Sequence, residues 1–171
     1  AVSRLQSISL FDLNEQAALL TRVDRKYALD RQNAAGVLAA LDPSTKVLEI
    51  SGQRSVAYES VYFDTPALLS YRMAAQGRRR RFKLRTRTYV NSHESWLEVK
   101  TRGARKTTVK NRVEHAFMDR EQLTPEAREY ANLALASNGV DLGSELHLVP
   151  TLVTRYDRTT LLVEASASRV T

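Results

Sequence analysis

Basic residues gather in one segment of this chain, where their type and spacing could hold an anion. From Arg78 to Arg87 the sequence reads RRRRFKLRTR. Arginine presents a planar fork of donors that matches phosphate oxygens, and it stays charged at physiological pH. These residues therefore favour phosphate binding over acid–base catalysis.

The second half of this segment alternates as a strand does. Basic residues occupy every second position from Arg81 to Arg87, and Phe, Leu and Thr stand between them. Segments 96–102 and 108–114 repeat the pattern with Lys100 on one and Lys110 on the other. A period of two predicts strands with one charged face and one largely apolar face.

Two interpretations of these charged faces are open. Antiparallel sheets commonly turn one polar face to water, so lysine and arginine on a single strand are ordinary. Three successive strands are different, because like charges opposite each other repel. Glu98 and Glu114 share the basic parity and could offset only part of the charge. The pattern therefore favours a bound anion.

Composition limits the class of protein. The 171 residues carry 26 Lys and Arg against 19 Asp and Glu, so the net charge is +7 and an anionic partner is expected. Cysteine is absent, which excludes thiolate zinc sites and disulfides and fits a reducing compartment. No apolar run has the length of a membrane span. His93, His115 and His147 share no metal-ligand spacing, and neither a glycine-rich phosphate loop nor a GxSxG motif occurs.

The elements that position these residues form an α+β pattern within one predicted domain, residues 1–171. Asp12, Asp30, Thr65 and Thr124 are candidate starts of four helices. Strands are expected over eight segments, most of them joined by short turns: Thr21–Leu29, Lys46–Ser51, Ser55–Phe63, Arg79–Val90, Glu94–Arg102, Thr107–Phe117, Val149–Tyr156 and Thr159–Ala165. A mainly antiparallel sheet that curls into a barrel would turn its charged face into the lining of a tunnel.

A nucleic-acid-binding sheet is the main competing interpretation. A binder of single strands needs aromatic side chains beside its basic ones as stacking platforms. The basic parity of the three strands carries few, chiefly Trp96 and Tyr89. This pattern argues for a phosphate ligand without bases and against nucleic acid.

Six motifs carry a resemblance to a known family. They are TRVDRKYAL (Thr21–Leu29), SVYFDT (Ser60–Thr65), FKLRTRTY (Phe82–Tyr89), WLEVKT (Trp96–Thr101), TTVKNRVE (Thr107–Glu114) and RYDRTTL (Arg155–Leu161). In order and spacing the chain resembles the VTC domain. This is the polyphosphate-polymerase domain of the vacuolar transporter chaperone family, in the CYTH-like triphosphate tunnel metalloenzyme superfamily.

The resemblance implies an antiparallel β-tunnel with a basic lumen, flanked by helices, that binds ATP, triphosphate or polyphosphate. It also implies a cytoplasmic phosphotransferase that moves the γ-phosphate of ATP onto polyphosphate with Mg²⁺ or Mn²⁺. By motif position the phosphate-binding residues would be Lys26, Arg85, Arg87, Lys100, Lys110 and Arg158, joined by Lys83 and Arg112 through their parity and by Arg169. Glu98 and Glu114 are the candidate metal ligands, and no catalytic residue is assigned.

The chain departs from the superfamily pattern at both ends. Arg22, Asp24 and Lys26 stand where the superfamily has Glu-x-Glu-x-Lys, which favours the VTC branch over triphosphatases and adenylate cyclases. Family domains continue beyond an Arg-Val-Thr like residues 169–171, so C-terminal strands are expected to be missing, and activity of this stretch alone is left open. The alternatives are an inorganic triphosphatase, a non-catalytic sensor of polyphosphate or inositol phosphate, and an RNA-binding β-module.

Overall fold

The structure is a computed structural model that describes residues 2–17, 24–103, 107–141 and 147–171. In chain order the strands are β1 (Gln6–Ile8), β2 (Lys46–Leu48), β3 (Val56–Asp64), β4 (Phe82–Tyr89), β5 (Glu94–Arg102), β6 (Thr108–His115), β7 (Val149–Arg158), β8 (Leu161–Val163) and β9 (Ser168–Val170). The α-helices are α1 (Leu10–Gln16), α2 (Arg31–Ala39), α3 (Leu69–Ala75) and α4 (Pro125–Ala136). These elements confirm the predicted α+β class.

The chain divides into two compact units. One consists of Ala1–Val56 with Asp157–Thr171, and the other of Ala57–Tyr156. The first contains a sheet of order β1-β2-β8-β9, in which β1 and β2 are parallel and the other pairs antiparallel. Its small core gathers four buried side chains, Ile8, Leu13, Ala17 and Leu162.

Of the two helix starts predicted in this first unit, one is confirmed. Asp30 caps α2 as predicted, and its carboxylate accepts from the backbone N–H of Asn33 at 2.7 Å. The predicted cap Asp12 is wrong, because Ser9 is the N-cap of α1. The Ser9 hydroxyl accepts from the Asp12 N–H at 3.1 Å and donates to the Asp12 carboxylate at 2.7 Å. The helix thus begins about one turn earlier than expected, with Asp12 bonded to its N-cap side chain.

The strand predicted over Thr21–Leu29 is wrong where the structure describes it. Residues 24–29 form no strand, and every one of their side chains is exposed. Alternation specifies strand pairing only when one face is buried, and this segment has no buried face. Residues 18–23 lie outside the described residues, as do residues 104–106, which join two of the predicted strands and are a plausible hairpin turn by sequence.

The second unit contains a five-stranded sheet of order β6-β5-β4-β3-β7. The pairs β4–β5 and β5–β6 are antiparallel, as predicted for neighbours joined by short connections, and β3 also pairs with β4 antiparallel although α3 lies between them in the chain. One face packs on α4, whose Ala131 and Leu135 are fully buried against Leu84, Leu97 and Val99. Because the apolar parity of β4 and β5 is buried here, their basic parity lies on the other face.

Side chains also accept from the first backbone N–H groups of α3 and α4. Thr124 caps α4 as predicted, accepting from the Ala127 N–H at 3.2 Å. Helix α3 begins at Leu69, later than Thr65-Pro66 predicts. The Asp64 carboxylate accepts from the backbone N–H groups of Thr65, Ser70 and Tyr71 at 2.7, 2.8 and 2.9 Å, which holds the intervening residues as a turn.

Both sheets are open in strand order within the described residues, so the closed tunnel remains a prediction. No helix in the described part of the chain is both long and apolar enough to cross a membrane.

Candidate anion-binding site

The sheet face opposite α4 carries six of the predicted phosphate-binding residues. We call this set the cationic face: Lys83, Arg85, Arg87, Lys100, Lys110 and Arg112. Residues paired across antiparallel strands share a face, with Cβ atoms about 5 Å apart. The register therefore orders these side chains into cross-strand rows.

Three lysines form the first row, which we call the lysine row. Lys83 of β4 pairs with Lys100 of β5, and Lys100 pairs with Lys110 of β6. Like charges in such positions destabilise a sheet unless something neutralises them. Among the described residues, Lys110 forms an ion pair with a carboxylate, while none is formed by Lys83 or Lys100. The row is therefore short of negative charge.

The second row places a carboxylate between two arginines. Arg85 pairs with Glu98, and Glu98 pairs with Arg112. Glu98 Oε2 accepts from Arg85 Nε at 2.9 Å and Nη2 at 2.7 Å, while Oε1 contacts Lys110 Nζ at 2.7 Å. Arg85 Nη1 donates to the Tyr62 hydroxyl at 2.8 Å. Glu98 therefore holds two cations in place.

Burial alone would raise the pKa of the Glu98 carboxyl, whose residue is only 1% exposed. The hydrogen bonds from Lys110 and Arg85 and the charges of Arg85 and Arg87 outweigh that effect and lower the pKa from 4.5 to about 2. Burial alone would lower the pKa of the Arg85 guanidinium, because it also disfavours this charged form. The hydrogen bond and the charge of Glu98 outweigh burial and raise that pKa. Since the carboxyl pKa is depressed, this stabilisation is present above about pH 4.5 and is lost as the pH falls toward 2.

The pKa of the Lys100 amine is also lowered, but for an amine this disfavours the charged form. Burial lowers its pKa first, and the charges of Arg85, Arg87 and Lys110 add to that effect against the opposing charge of Glu98. The resulting pKa is about 8, against an ordinary value of 10.5. Between these values the unfolded chain binds more protons than the folded one, so stability rises with pH through this window. An anion beside Lys100 would reverse the shift.

We expect anion binding to be accompanied by proton uptake at Lys100. At pH 8.5 part of the Lys100 population is neutral, and tripolyphosphate would raise the pKa of the amine and load it with a fraction of a proton. Calorimetry in two buffers of different ionisation enthalpy measures that fraction. In Lys100→Met the uptake should fall by the fraction that Lys100 contributes.

Lys83→Met is the matched control, because it removes an exposed charge from the same row. Its proton uptake should equal that of the unsubstituted protein, because Lys100 is retained. Protonation of the ligand itself contributes equally in all three proteins. Equal uptake in Lys100→Met and the unsubstituted protein would contradict a role of Lys100 at the site.

The third row joins Arg87, Trp96 and Glu114. The guanidinium of Arg87 lies 5.7 Å from the ring centre of Tyr58, and that of Arg112 lies 4.5 Å from the ring of Trp96. Arg87 Nε is buried and has no hydrogen-bond partner among the described residues. A buried donor without a partner is unfavourable, so Arg87 is well placed to receive an acceptor oxygen.

Three further predicted phosphate-binding residues belong to the first unit. Lys26 is exposed on the segment without regular structure, and Arg158 is the last residue of β7. Arg169 lies on β9, where its Nη2 donates to the Leu13 carbonyl at 3.0 Å and to Asn14 Oδ1 at 2.8 Å. The phosphate-binding role of all three stays a prediction.

The candidate metal ligands Glu98 and Glu114 do not form a metal site by themselves. Both oxygens of Glu98 already contact cationic groups, and Glu114 is exposed in the neighbouring row. No group of three or more histidine, aspartate or glutamate side chains that could hold a metal occurs in the part of the chain that the structure describes. The donor set does not fit a resident divalent ion here, and the ion remains a prediction.

The structure adds residues that sequence reasoning missed. Tyr58, Ser60 and Tyr62 of β3 lie on the cationic face, since they pair with Tyr89, Arg87 and Arg85. Tyr156 of β7 stacks on Tyr58 with ring centres 5.3 Å apart. The three basic strands carry few aromatics on this face, as the sequence indicates, but β3 and β7 add three tyrosines to it. Alternation within Tyr58–Tyr62 is the available signal, but these residues carry no charge, so a pattern of basic residues does not include them.

Comparison with known proteins identifies the family of the chain. The family model described as the VTC domain matches residues 21–171, which is most of the chain. A search of curated proteins found none that matches. The match includes every strand of the cationic face. The chain belongs to the VTC domain family.

Proposed function

We propose that the cationic face binds the phosphates of a triphosphate or polyphosphate chain. The observation that carries this proposal is the lysine row, in which Lys83, Lys100 and Lys110 lie side by side and form a single ion pair with the carboxylates that the structure describes. An anion with several charges would relieve their repulsion. Membership of the VTC domain family supports a polyphosphate-related function.

The spacing of the rows favours a linear ligand. Lys83, Arg85 and Arg87 follow one another on β4 at every second residue, which spans roughly 14 Å at the rise of a strand. A single phosphate could contact only one row. A chain of phosphates running along β4 could contact all three, so we expect affinity to increase with chain length.

We extend the proposal to phosphoryl transfer from ATP to a polyphosphate chain. The bond between the γ-phosphorus and the bridging oxygen would break, with its electron pair leaving on ADP. A terminal oxygen of the polyphosphate would form the new bond to phosphorus. The described residues would contribute position and charge, since catalysis of this reaction rests on those two effects. A closed tunnel and a cytoplasmic location with access to ATP belong to the same proposal.

RNA binding is the second candidate, because five aromatic side chains lie on the face: Tyr58, Tyr62, Tyr89, Trp96 and Tyr156. Stacking platforms need accessible rings. Here Arg112 covers one side of Trp96, and Tyr58 contacts the rings of both Tyr89 and Tyr156. These contacts favour a phosphate ligand over bases.

Calorimetric titration with tripolyphosphate, ATP and a short RNA, each with and without Mn²⁺, tests the proposal. We expect tripolyphosphate to bind and to displace RNA at moderate salt. Displacement of tripolyphosphate by RNA would instead support the RNA-binding module.

Incubation with ATP then separates the remaining activities. An acid-stable phosphate polymer would support the polymerase, and release of phosphate from tripolyphosphate would support a triphosphatase. Binding with unchanged ligand after long incubation would support a sensor.

A further inference from the structure

We infer that the Ser60 hydroxyl is a neutral phosphate ligand that works together with Arg87. The inference rests on the proposed function, because it names a further binding residue of the same face. It is carried by two buried polar atoms, Ser60 Oγ and Arg87 Nε, neither of which has a hydrogen-bond partner among the described residues.

The two atoms belong to residues that are partners on adjacent strands. Ser60 of β3 is the Cα partner of Arg87 of β4, so their side chains lie on the same face about 5 Å apart at Cβ. Ser60 is 1% exposed, and its neighbours on that face of β3 are Tyr58 and Tyr62. A short side chain between long ones lies at the floor of the face, below their tips.

The chemistry of the pair selects an acceptor. Arginine can only donate, and a serine hydroxyl can donate once. An oxygen that accepts from both would satisfy two buried groups together. Phosphate oxygens bind most strongly to donors of this kind, because hydrogen bonds to charged groups are the strong ones. The ligand expected beside Ser60 is therefore a phosphoryl oxygen of the chain.

A neutral donor has an effect that the basic residues do not have. The lysine and arginine charges attract any polyanion, and their contribution weakens as salt screens it. Ser60 adds no charge, so it contributes by fixing where a phosphate lies along the strand. It is a positioning residue that favours a phosphate chain in one register.

Ser60→Ala tests the inference by three measurements on the whole chain. Tripolyphosphate affinity should fall about tenfold, the loss expected for one hydrogen bond to a charged group. The slope of affinity against salt should stay unchanged, since no cation is removed. Tm of the free protein should not fall, because the hydroxyl has no described partner to lose. Unchanged affinity, or a lower Tm, would overturn the inference.

Thr101→Val is the matched control. Thr101 is 4% exposed in the same sheet, and its hydroxyl also has no described partner, but it pairs with Phe82 on the face that packs on α4. This variant should bind tripolyphosphate as the unsubstituted protein does. A tenfold loss here as well would overturn the inference, because it would reveal a general effect of the sheet.

A double variant tests whether Ser60 and Arg87 hold the same phosphate. Arg87→Lys keeps the charge but removes Nε–H, so adding Ser60→Ala to it should cost clearly less than tenfold. A full tenfold loss in that background would overturn the shared arrangement. If the unsubstituted protein fails to bind tripolyphosphate, the proposed function falls, whereas binding that Ser60→Ala leaves intact removes only this inference.

Discussion

Glu98→Gln should destabilise the free protein by about 3 kcal/mol while strengthening its hold on tripolyphosphate. The substitution removes the negative charge that Arg85 and Lys110 contact at 2.7 Å, and it leaves the buried Arg85 without its charge partner. The same change leaves the cationic face more positive. Urea unfolding measures the first effect, and calorimetry at one fixed salt concentration measures the second.

Glu94→Gln is the control, since Glu94 lies on the same strand and is exposed. It should leave both quantities nearly unchanged. Glu98→Gln should also flatten the loss of stability between pH 4.5 and 2, because that loss arises from the depressed pKa of this carboxyl. Weaker tripolyphosphate binding in Glu98→Gln, seen only with Mn²⁺, would instead assign the carboxylate to the metal.

Arg87→Ala should reduce tripolyphosphate affinity by roughly 10- to 100-fold with little loss of stability. Arg87 forms no ion pair with a described carboxylate, and its Nε has no described partner, so the folded sheet gains little from its charge. The Arg87 guanidinium also lies 5.7 Å from the centre of the Tyr58 ring, a cation–π contact that is worth about 1 kcal/mol. Affinity and unfolding should therefore respond very differently.

Arg128→Ala provides the comparison for this prediction. Arg128 lies on α4, on the other side of the sheet, and donates to the Leu148 carbonyl at 3.4 Å. Its removal lowers the net charge equally but should leave affinity almost unchanged. Equal losses in the two variants would reduce the site to the bulk charge of the chain.

The parts of the fold that the sequence predicted well depend on local pattern. Alternation between basic and apolar residues placed Lys83, Arg85 and Arg87 on one face because the opposite parity is buried under α4. The same rule failed at residues 24–29, where alternation occurs without a buried face. A pattern of charges predicts a strand only when the intervening side chains have a core to enter.

The site itself was predictable in its charges and less so in its contacts. Tyr62 reaches Arg85 because β3 lies beside β4, although α3 and a loop separate them in sequence. Tyr156 stacks on Tyr58 because β7 lies beside β3. Such neighbours depend on strand order, which alternation within one segment does not encode. The sequence makes Glu98 a candidate metal ligand, but its contacts with Arg85 and Lys110 follow only from the strand register.

Strand β6 lies at one end of its sheet and has a single strand neighbour among the described residues. Backbone groups along such an edge can recruit a second chain, and charged side chains are a common means of preventing this. Lys110 and Arg112 lie on this edge strand, so they would prevent pairing with a second chain in addition to binding phosphate. Neutralising Lys110 and Arg112 together should promote self-association, which light scattering measures. A loss of tripolyphosphate affinity in that variant therefore counts only for protein that remains monomeric.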